Sequence, residues 1–322
     1  MYQIHDISNF EPEIYESLGT KSKFWIKDDN GTSLLFKSTR CLDGKGNEIE
    51  RPGEDWAEKI SCEIARELGI PHAHYELAIH ENQIGVITNN FVPDGSNMIL
   101  GNMLLSRFSE HEDSNNKIFL NKRILNRLSR VIVILSELVK KPPQNHQLPH
   151  GINSSLEVFC GYLLLDLLIS NQDRHEENWG IIAHKSEGLY LAPTFDHAAS
   201  LGRNENDEKR LRILNSKDIG YSLSTYIGKA KSQLYDRQDK RYKTVEAFSL
   251  ASIFAARGAL IWIEKLKKIT FSRIDEIIDA IPSQRMTDIA KELTKALIKE
   301  NMNRAMQCEE FIRDHEKKSR TE

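Results

Sequence analysis

The sequence predicts an α+β protein in two lobes: a small N-terminal antiparallel β lobe with one main helix, residues 1–92, then a larger, mostly helical lobe, residues 93–322. Three observations predict it. Short apolar runs separated by turn signals fill residues 24–93. One helix-period segment, Trp56, Ile60, Ile64 and Leu68, interrupts them. Beyond residue 93 the periodicity is helical, apart from a single hairpin pattern at 180–191.

The β lobe opens with Phe24-Trp25-Ile26 and Ser33 to Lys37, joined through Asp28-Asp29-Asn30-Gly31. Asn-Gly between apolar segments is a strong hairpin signal, because both positions tolerate positive φ. The helix that follows starts after Gly53 and stops at Gly69-Ile-Pro71, with Glu58 expected in its first turn, where a carboxylate also interacts well with the helix dipole. His74 to His80 and Ile84 to Pro93 read as two further strands around the turn Glu81-Asn82-Gln83. Asn90-Phe91-Val92 would then be the hinge into the second lobe.

In that lobe Phe119 to Leu138 has helical periodicity and ends at Lys140-Lys-Pro-Pro. Ser154-x-x-Glu157 has the form of a capping box, and Val158 to Ile169 is apolar on nearly every face, so this helix should be buried. Gly180-Ile-Ile and Gly188-Leu-Tyr-Leu read as a hairpin. From Thr244 the pattern gives a helix over Val245 to Lys268, a short one near Ile274 to Ile281, a break at Pro282 and a long final helix through Phe311. Residues 316–322 are expected to fray. No fixed repeat period is present.

Composition narrows the function. With 322 residues, 39% of them hydrophobic, and a formal net charge of −3, there is material for two packed lobes and no global attraction to nucleic acid or an anionic membrane. The local exception is Lys209 to Lys243, with ten Lys or Arg against three Asp, interleaved with Tyr221, Tyr226, Tyr235 and Tyr242. A solvated charged face is the simpler expectation than contact with an anionic partner such as tRNA. Cys41, Cys62, Cys160 and Cys308 are scattered, so neither a zinc site nor a disulfide framework is indicated, and His72 and His74, flanking one alanine, read as structural. The N-terminus, Met1-Tyr-Gln-Ile-His-Asp, lacks the basic and apolar segments of a signal peptide, and the longest apolar run is too short to span a bilayer. The expectation is a cytoplasmic protein without a membrane partner, although the sequence leaves delivery into another cell open.

The chemistry is concentrated in Leu163-Leu-Leu-Asp-Leu-Leu-Ile-Ser-Asn-Gln-Asp-Arg-His-Glu-Glu-Asn178 and Leu191-Ala-Pro-Thr-Phe-Asp196. An apolar helix delivers an Asp, an Asn follows five residues later, and a second Asp arrives after a short hairpin. Phosphoryl transfer needs one carboxylate to take the acceptor hydroxyl's proton, and an amide oxygen with a second carboxylate to hold magnesium on the nucleotide phosphates. Asp173, Asn178 and Asp196 fit those roles. Isolated Asp-x4-Asn spacing would be weak evidence, since both residues form turns. The rigid helix before the loop and the hairpin after it strengthen the reading. Such chemistry also calls for a strand lysine held on the phosphates by a helix glutamate, and Lys37 with Glu58 is the pair in position.

Asn171-x-Asp173-x-His175-x-x-Asn178 followed by Pro193-x-Phe195-Asp196 resembles the catalytic loop and metal-binding aspartate of HipA-like serine/threonine kinases. Ser33 to Lys37 is similar to that family's lysine-bearing hairpin, and Gly53 to Pro71 to the helix carrying its glutamate. The resemblance spans roughly residues 15 to 205 at motif level. It implies a bilobal protein-kinase-like fold, ATP and Mg2+ as cofactors, and phosphorylation of a protein substrate, an aminoacyl-tRNA synthetase or another cytosolic protein. It also implies a bacterial toxin held by an antitoxin partner; from the charge balance, no direct nucleic-acid binding by this chain is expected.

Gly19, Thr20, Lys21, Ser22 and Lys23 occupy the place of a loop over the nucleotide, without the three spaced glycines of the protein-kinase signature. In HipA relatives this loop can carry an inhibitory autophosphorylation, so Thr20 or Ser22 is the implied acceptor. Adenine would pair with backbone at Asn90, Phe91 and Val92, and His175 would lie at the nucleotide. Full-length members carry a further N-terminal subdomain, which this sequence is expected to lack. Two rivals stand beside this reading. One is a phosphatidylinositol-kinase-like enzyme acting on a lipid or small alcohol, which Asp173-Arg-His-x-x-Asn178 also resembles. The other is a nucleotide-binding pseudokinase adaptor.

Overall fold

The computed structural model describes residues 1–15, 21–112 and 125–319. The N-terminal sheet runs in the order β1, β6, β7, β4, β3, β2, with β5 on β4. These are β1 (Ile4–Asp6), β2 (Ile14–Tyr15), β3 (Lys21–Lys27), β4 (Ser33–Leu42), β5 (Glu48–Glu50), β6 (Tyr75–His80) and β7 (Gln83–Asn89). Pairing is antiparallel except for β1, which lies parallel to β6. The Asp28–Gly31 turn forms as expected, but by another device. Asp28 Oδ1 accepts the Asn30 and Thr32 amides at 3.0 and 2.7 Å, and only Gly31, at φ 78°, is left-handed.

Successive strand residues face opposite sides of a sheet, and this decides where Lys37 points. Phe36 joins Phe24, Ile26, Ala78 and Ile87 in a small core on one face. Lys37 therefore faces the other side, where α1 (Glu54–Leu68) packs. Gly85 lets β7 come close at this point, since a β-carbon there would lie 2.2 Å from the Lys37 carbonyl oxygen.

Helix α1 is bounded by left-handed Gly53 and Gly69. It is buried on all sides except at Arg66 and Glu67, not just along an amphipathic stripe, because it is wedged between the sheet and the helical lobe. Its charged side chains are paired as burial demands: Asp55 with Arg285 at 3.2 Å, Lys59 with Glu63 and Glu76 at 2.7 Å each, and Glu54 with Arg203 at 2.8 Å. Because α1 starts at Glu54, Glu58 sits beyond the first turn; the first-turn acids are Glu54 and Asp55.

After β7 come β8 (Ser96–Leu100) and α2 (Gly101–Glu112). Strand β8 joins the expected hairpin, β9 (Gly180–His184) and β10 (Gly188–Leu191), in a three-stranded sheet. Of the segment 119–138, the first part lies outside the described residues. The rest is α3 (Leu128–Val133) running into a wider π turn at Ile134–Leu138. Helix α4 (Ser155–Leu168) begins with the predicted capping box, Ser154 and Glu157 bonding reciprocally, and is buried almost throughout.

The expected helix over Val245–Lys268 is two, α7 (Thr244–Phe254) and α8 (Ala256–Leu266), in a run that also holds α5 (Asp207–Asn215) and α6 (Leu223–Ile227). The break at Ala255, φ −143° and ψ 45°, lets α8 turn against α4, where the Trp262 indole N–H donates to Glu157 O at 2.8 Å. A β-carbon on Gly258 would meet the Glu157 side chain at 2.6 Å, so the close approach depends on glycine. Between α6 and α7 lies the hairpin β11 (Lys231–Tyr235) and β12 (Arg241–Lys243). In the basic stretch, Lys209, Arg210 and Arg212 pair with Glu205, Asp207 and Glu208. Helices α9 (Phe271–Asp279) and α10 (Asp288–Ser319) complete the lobe, α10 continuing into the segment expected to fray.

Candidate active site

The loop after α4 is held by a charged residue inside an otherwise apolar helix. Asp166 accepts from Arg174 Nε and Nη2 at 2.8 and 2.7 Å and from Asn171 Nδ2 at 2.8 Å. Arg174 is completely buried and also donates to Asn178 O at 2.6 Å. Burial alone would lower the Arg174 pKa, but the Asp166 carboxylate reverses that and raises it. Asn171 Oδ1 in turn accepts the Asp173 amide at 3.1 Å, and Asn178 Nδ2 donates to Asp173 O at 2.7 Å. The backbone of Asp173 is thus held on both sides, while its side chain stays 43% exposed with His175 Nε2 at 3.8 Å. From α10, Asn301 Nδ2 donates to Leu168 O and Ser170 Oγ at 3.1 and 2.9 Å, supporting the loop from below.

The second segment, Thr194 to Leu201, runs beside this loop. Leu201 N donates to Ile169 O at 2.8 Å and Gln172 N to Ala199 O at 3.4 Å. It is clipped to the N-terminal lobe where Ala73 N meets Thr194 O and Thr194 N meets Pro71 O, at 2.8 and 3.0 Å. Asp196 has φ 59°, a left-handed conformation uncommon outside glycine that aspartate tolerates better than most residues. Two side chains meet this backbone: Asp196 N donates to the Tyr75 hydroxyl oxygen at 3.4 Å, and His197 N to Glu58 Oε2 at 2.8 Å.

The same two side chains meet Lys37. Its ammonium donates to the Tyr75 hydroxyl at 3.1 Å and lies 3.9 Å from Glu58 Oε1. Burial would by itself lower the Lys37 pKa, but Asp196, Tyr75 and Glu58 outweigh it, so the ammonium is held protonated above the ordinary lysine value. Of these two, Tyr75 is the nearer to the ammonium and Glu58 the more distant. Tyr75 was not singled out by sequence reasoning, and a tyrosine opening a strand carries no signal of this role.

The remaining expected positions are distributed as follows. Ser22 and Lys23, read as loop, belong to β3, as does the backbone of Lys21; Lys23 stands directly opposite Lys37 in the ladder. Gly19 and Thr20 lie outside the described residues. Phe91 stacks on Phe195 with ring centroids 5.8 Å apart, and the Val92 amide donates to Asn90 Oδ1 at 3.0 Å. Asp166 and Arg174 were also missed as a pair, although an Asp within an apolar helix is a legible demand for a buried partner.

His197 is buried, and burial, with Arg174, His72 and Lys37 nearby and against the opposite pull of Asp196, holds it well below the usual imidazole value of 6.5. It stays neutral in the native protein while the unfolded chain takes up a proton below about pH 6.5, so its contribution to stability is lost as the pH falls through that window. The expected slope from this residue is up to about 1.4 kcal/mol per pH unit. Urea midpoints of wild type and His197→Asn at pH 7 and pH 5 check it; parallel pH responses would remove the assignment.

The serine/threonine-protein kinase CtkA of Helicobacter pylori strain J99 is 24% identical over 251 residues, spanning 77% of this chain and 70% of that protein. The crystal structure of a Helicobacter pylori proinflammatory kinase CtkA matches with a TM-score of 0.72 at 20% identity, covering 95% of this chain and 99% of that one. HipA of Shewanella oneidensis MR-1, solved with HipB and operator DNA, matches with a TM-score of 0.55 at 12% identity over 96% of this chain and 68% of that one. This chain is similar to the HipA-like serine/threonine kinases and shares their bilobal fold. No family model matches it. The N-terminal sheet with α1 and the helical lobe have the two-lobed arrangement of these kinase structures. Among the described residues no helix is long and apolar enough to cross a membrane.

Proposed function

We infer that this chain transfers the γ-phosphate of ATP to a serine or threonine hydroxyl of a protein. The observation that carries the reading is the set of contacts joining Lys37 to Tyr75 and Glu58, and these two to the Asp196–His197 backbone. A protonated lysine of the N-terminal lobe and an aspartate of the helical lobe are thereby tied to one pair of side chains, Tyr75 and Glu58, both from the N-terminal lobe.

The residues present suit Mg2+. Asn178 commits its amide N–H group to Asp173 O, so its oxygen is the atom that would serve a cation, and Asp196 would add a carboxylate; oxygen donors of this kind suit a hard ion. Mg2+ would supply charge neutralisation on the phosphates. Lys37 would bind phosphate oxygens, Glu58 and Tyr75 would hold Lys37 in place, and Asp173 would accept the hydroxyl proton. Ser22 and Lys23, on the strand beside Lys37, would border the phosphates, as would Gly19, Thr20 and Lys21 from the adjoining segment, with His175 beside Asp173. Asn90, Phe91 and Val92 would border adenine, a contact to the Val92 N–H requiring Asn90 to release it. Self-phosphorylation at Thr20 or Ser22, cytoplasmic action and an antitoxin partner belong to the same reading, by likeness to HipA.

Incubation with labelled ATP and Mg2+ beside protein and lipid acceptors, with phosphosite mapping, tests it. Label on protein Ser or Thr, this chain's own Thr20 or Ser22 included, is expected for wild type and absent from Asp173→Ala. Label confined to lipid would replace the reading with a lipid kinase. Equal behaviour of the two proteins would leave a nucleotide-binding adaptor.

A further inference from the structure

We propose that Cys62, His72 and His74 form a binding site for a thiophilic divalent cation of the Zn2+ type. The sequence shows no such site, because Cys62 is on α1 and the histidines lie in the lead-in to β6, after Gly69-Ile-Pro71 has turned the chain back. The fold brings one ligand atom from each to within 4.8 Å of the others. Cys62 Sγ and His74 Nδ1 are 3.8 Å apart. Tetrahedral zinc with bonds of about 2.3 Å to sulfur and 2.0–2.1 Å to nitrogen separates such ligands by about 3.6 Å, so little movement is required.

The hydrogen bonds around the three residues are those a metal site needs. His72 Nδ1 is 2.6 Å from Ile70 O, which places the proton on Nδ1 and leaves Nε2 as a lone pair. His74 Nε2 is 2.8 Å from Glu76 Oε1, which places its proton on Nε2 and leaves Nδ1 as the lone pair toward Cys62. Carbonyl and carboxylate partners on the far ring nitrogen fix the tautomer and orientation of metal-binding histidines. The Tyr75 amide donates to Cys62 Sγ at 3.4 Å, stabilising charge on the sulfur. Cys62 is buried, His72 half-buried and His74 exposed, so the cluster opens to solvent on the histidine side.

One group stands in the way. Arg66 Nη2 donates to His74 Nδ1 at 2.7 Å, and it must swing out for a cation to enter. The Arg66 side chain is half exposed and keeps its ion pair with Glu63 at 2.9 Å through Nη1, so the motion is local. Water would take the fourth position. Thiolate and imidazole donors select Zn2+ over Mg2+, which separates this site chemically from the oxygen donors of Asn178 and Asp196. The cation would staple α1 to β6 one turn past Glu58 and beside Tyr75, the two side chains that meet Lys37.

Co2+ titration of the chelator-stripped full chain tests this without reference to kinase activity. Wild type is expected to bind one equivalent, with the intense d–d bands of tetrahedral cobalt and a thiolate-to-cobalt charge-transfer band, all displaced by Zn2+. Cys62→Ser should lose the charge-transfer band, and Glu76→Gln should weaken binding by about tenfold or more through the freed His74 ring. Should Cys62→Ser fail to fold, His74→Ala, altered at an exposed position and checked by circular dichroism, must lose the tetrahedral spectrum. Absence of stoichiometric Co2+ uptake by wild type, or a charge-transfer band surviving in folded Cys62→Ser, overturns the proposal.

Discussion

Asp173→Ala is expected to lower kinase turnover by about 10²–10⁴-fold while leaving nucleotide affinity nearly unchanged. The Asp173 backbone is fixed by Asn171 Oδ1 on one side and Asn178 Nδ2 on the other, so truncating the side chain removes a proton acceptor without releasing the loop. The carboxylate stays 43% exposed, so its removal leaves no buried charge unpaired. Asp173→Asn should be nearly as inactive, because an amide keeps the shape and cannot take the proton. Single-turnover phosphoryl transfer measured beside fluorescent-nucleotide binding separates the two effects. Turnover within about threefold of wild type in both variants would show that Asp173 is not the base.

Asp166→Leu is expected to cost about 3–5 kcal/mol of stability, the largest loss of any single change named here. It removes an acceptor of three hydrogen bonds and leaves a guanidinium with no solvent exposure facing an apolar side chain. Activity should fall as well, since Asn171 loses the contact that aims it at the Asp173 amide. The double variant Asp166→Leu with Arg174→Met should regain much of the stability, because a buried ion pair replaced by packed apolar groups is often neutral. It should not regain activity, since Asn178 O has lost its Arg174 donor. Urea unfolding of the four proteins closes the cycle. Additive losses in the double variant would mean that the pair is not coupled.

Much of the candidate site was legible in local patterns. Asp173, Asn178 and Asp196 stand out because a buried helix with a capping box leads into one and a hairpin separates the other two, and both elements are present. Lys37 and Glu58 were legible as members of a strand and a helix that had to pack together. What local pattern could not give was the partner of a partner. Tyr75 lies between Lys37 and the Asp196 amide, and no periodicity announces a hydroxyl that accepts from both. The loop reading of Ser22 and Lys23 failed because pairing with β4 extends β3 back to Lys21, and strand ends depend on the neighbouring strand.

Hydrophobic period, turn residues and caps act over a few positions, so by itself the sequence determined that this chain would form a β lobe with one helix, a buried central helix and an acid-rich loop at its end. Only the tertiary structure decided that α1 would be buried on nearly every side with its buried charges paired, that the helix after Thr244 would break at Ala255 to bring Trp262 against Glu157, and that Cys62 would meet two histidines. Those outcomes depend on which surfaces meet across long separations in the chain. Burial then selects, among many polar side chains, the few that find partners.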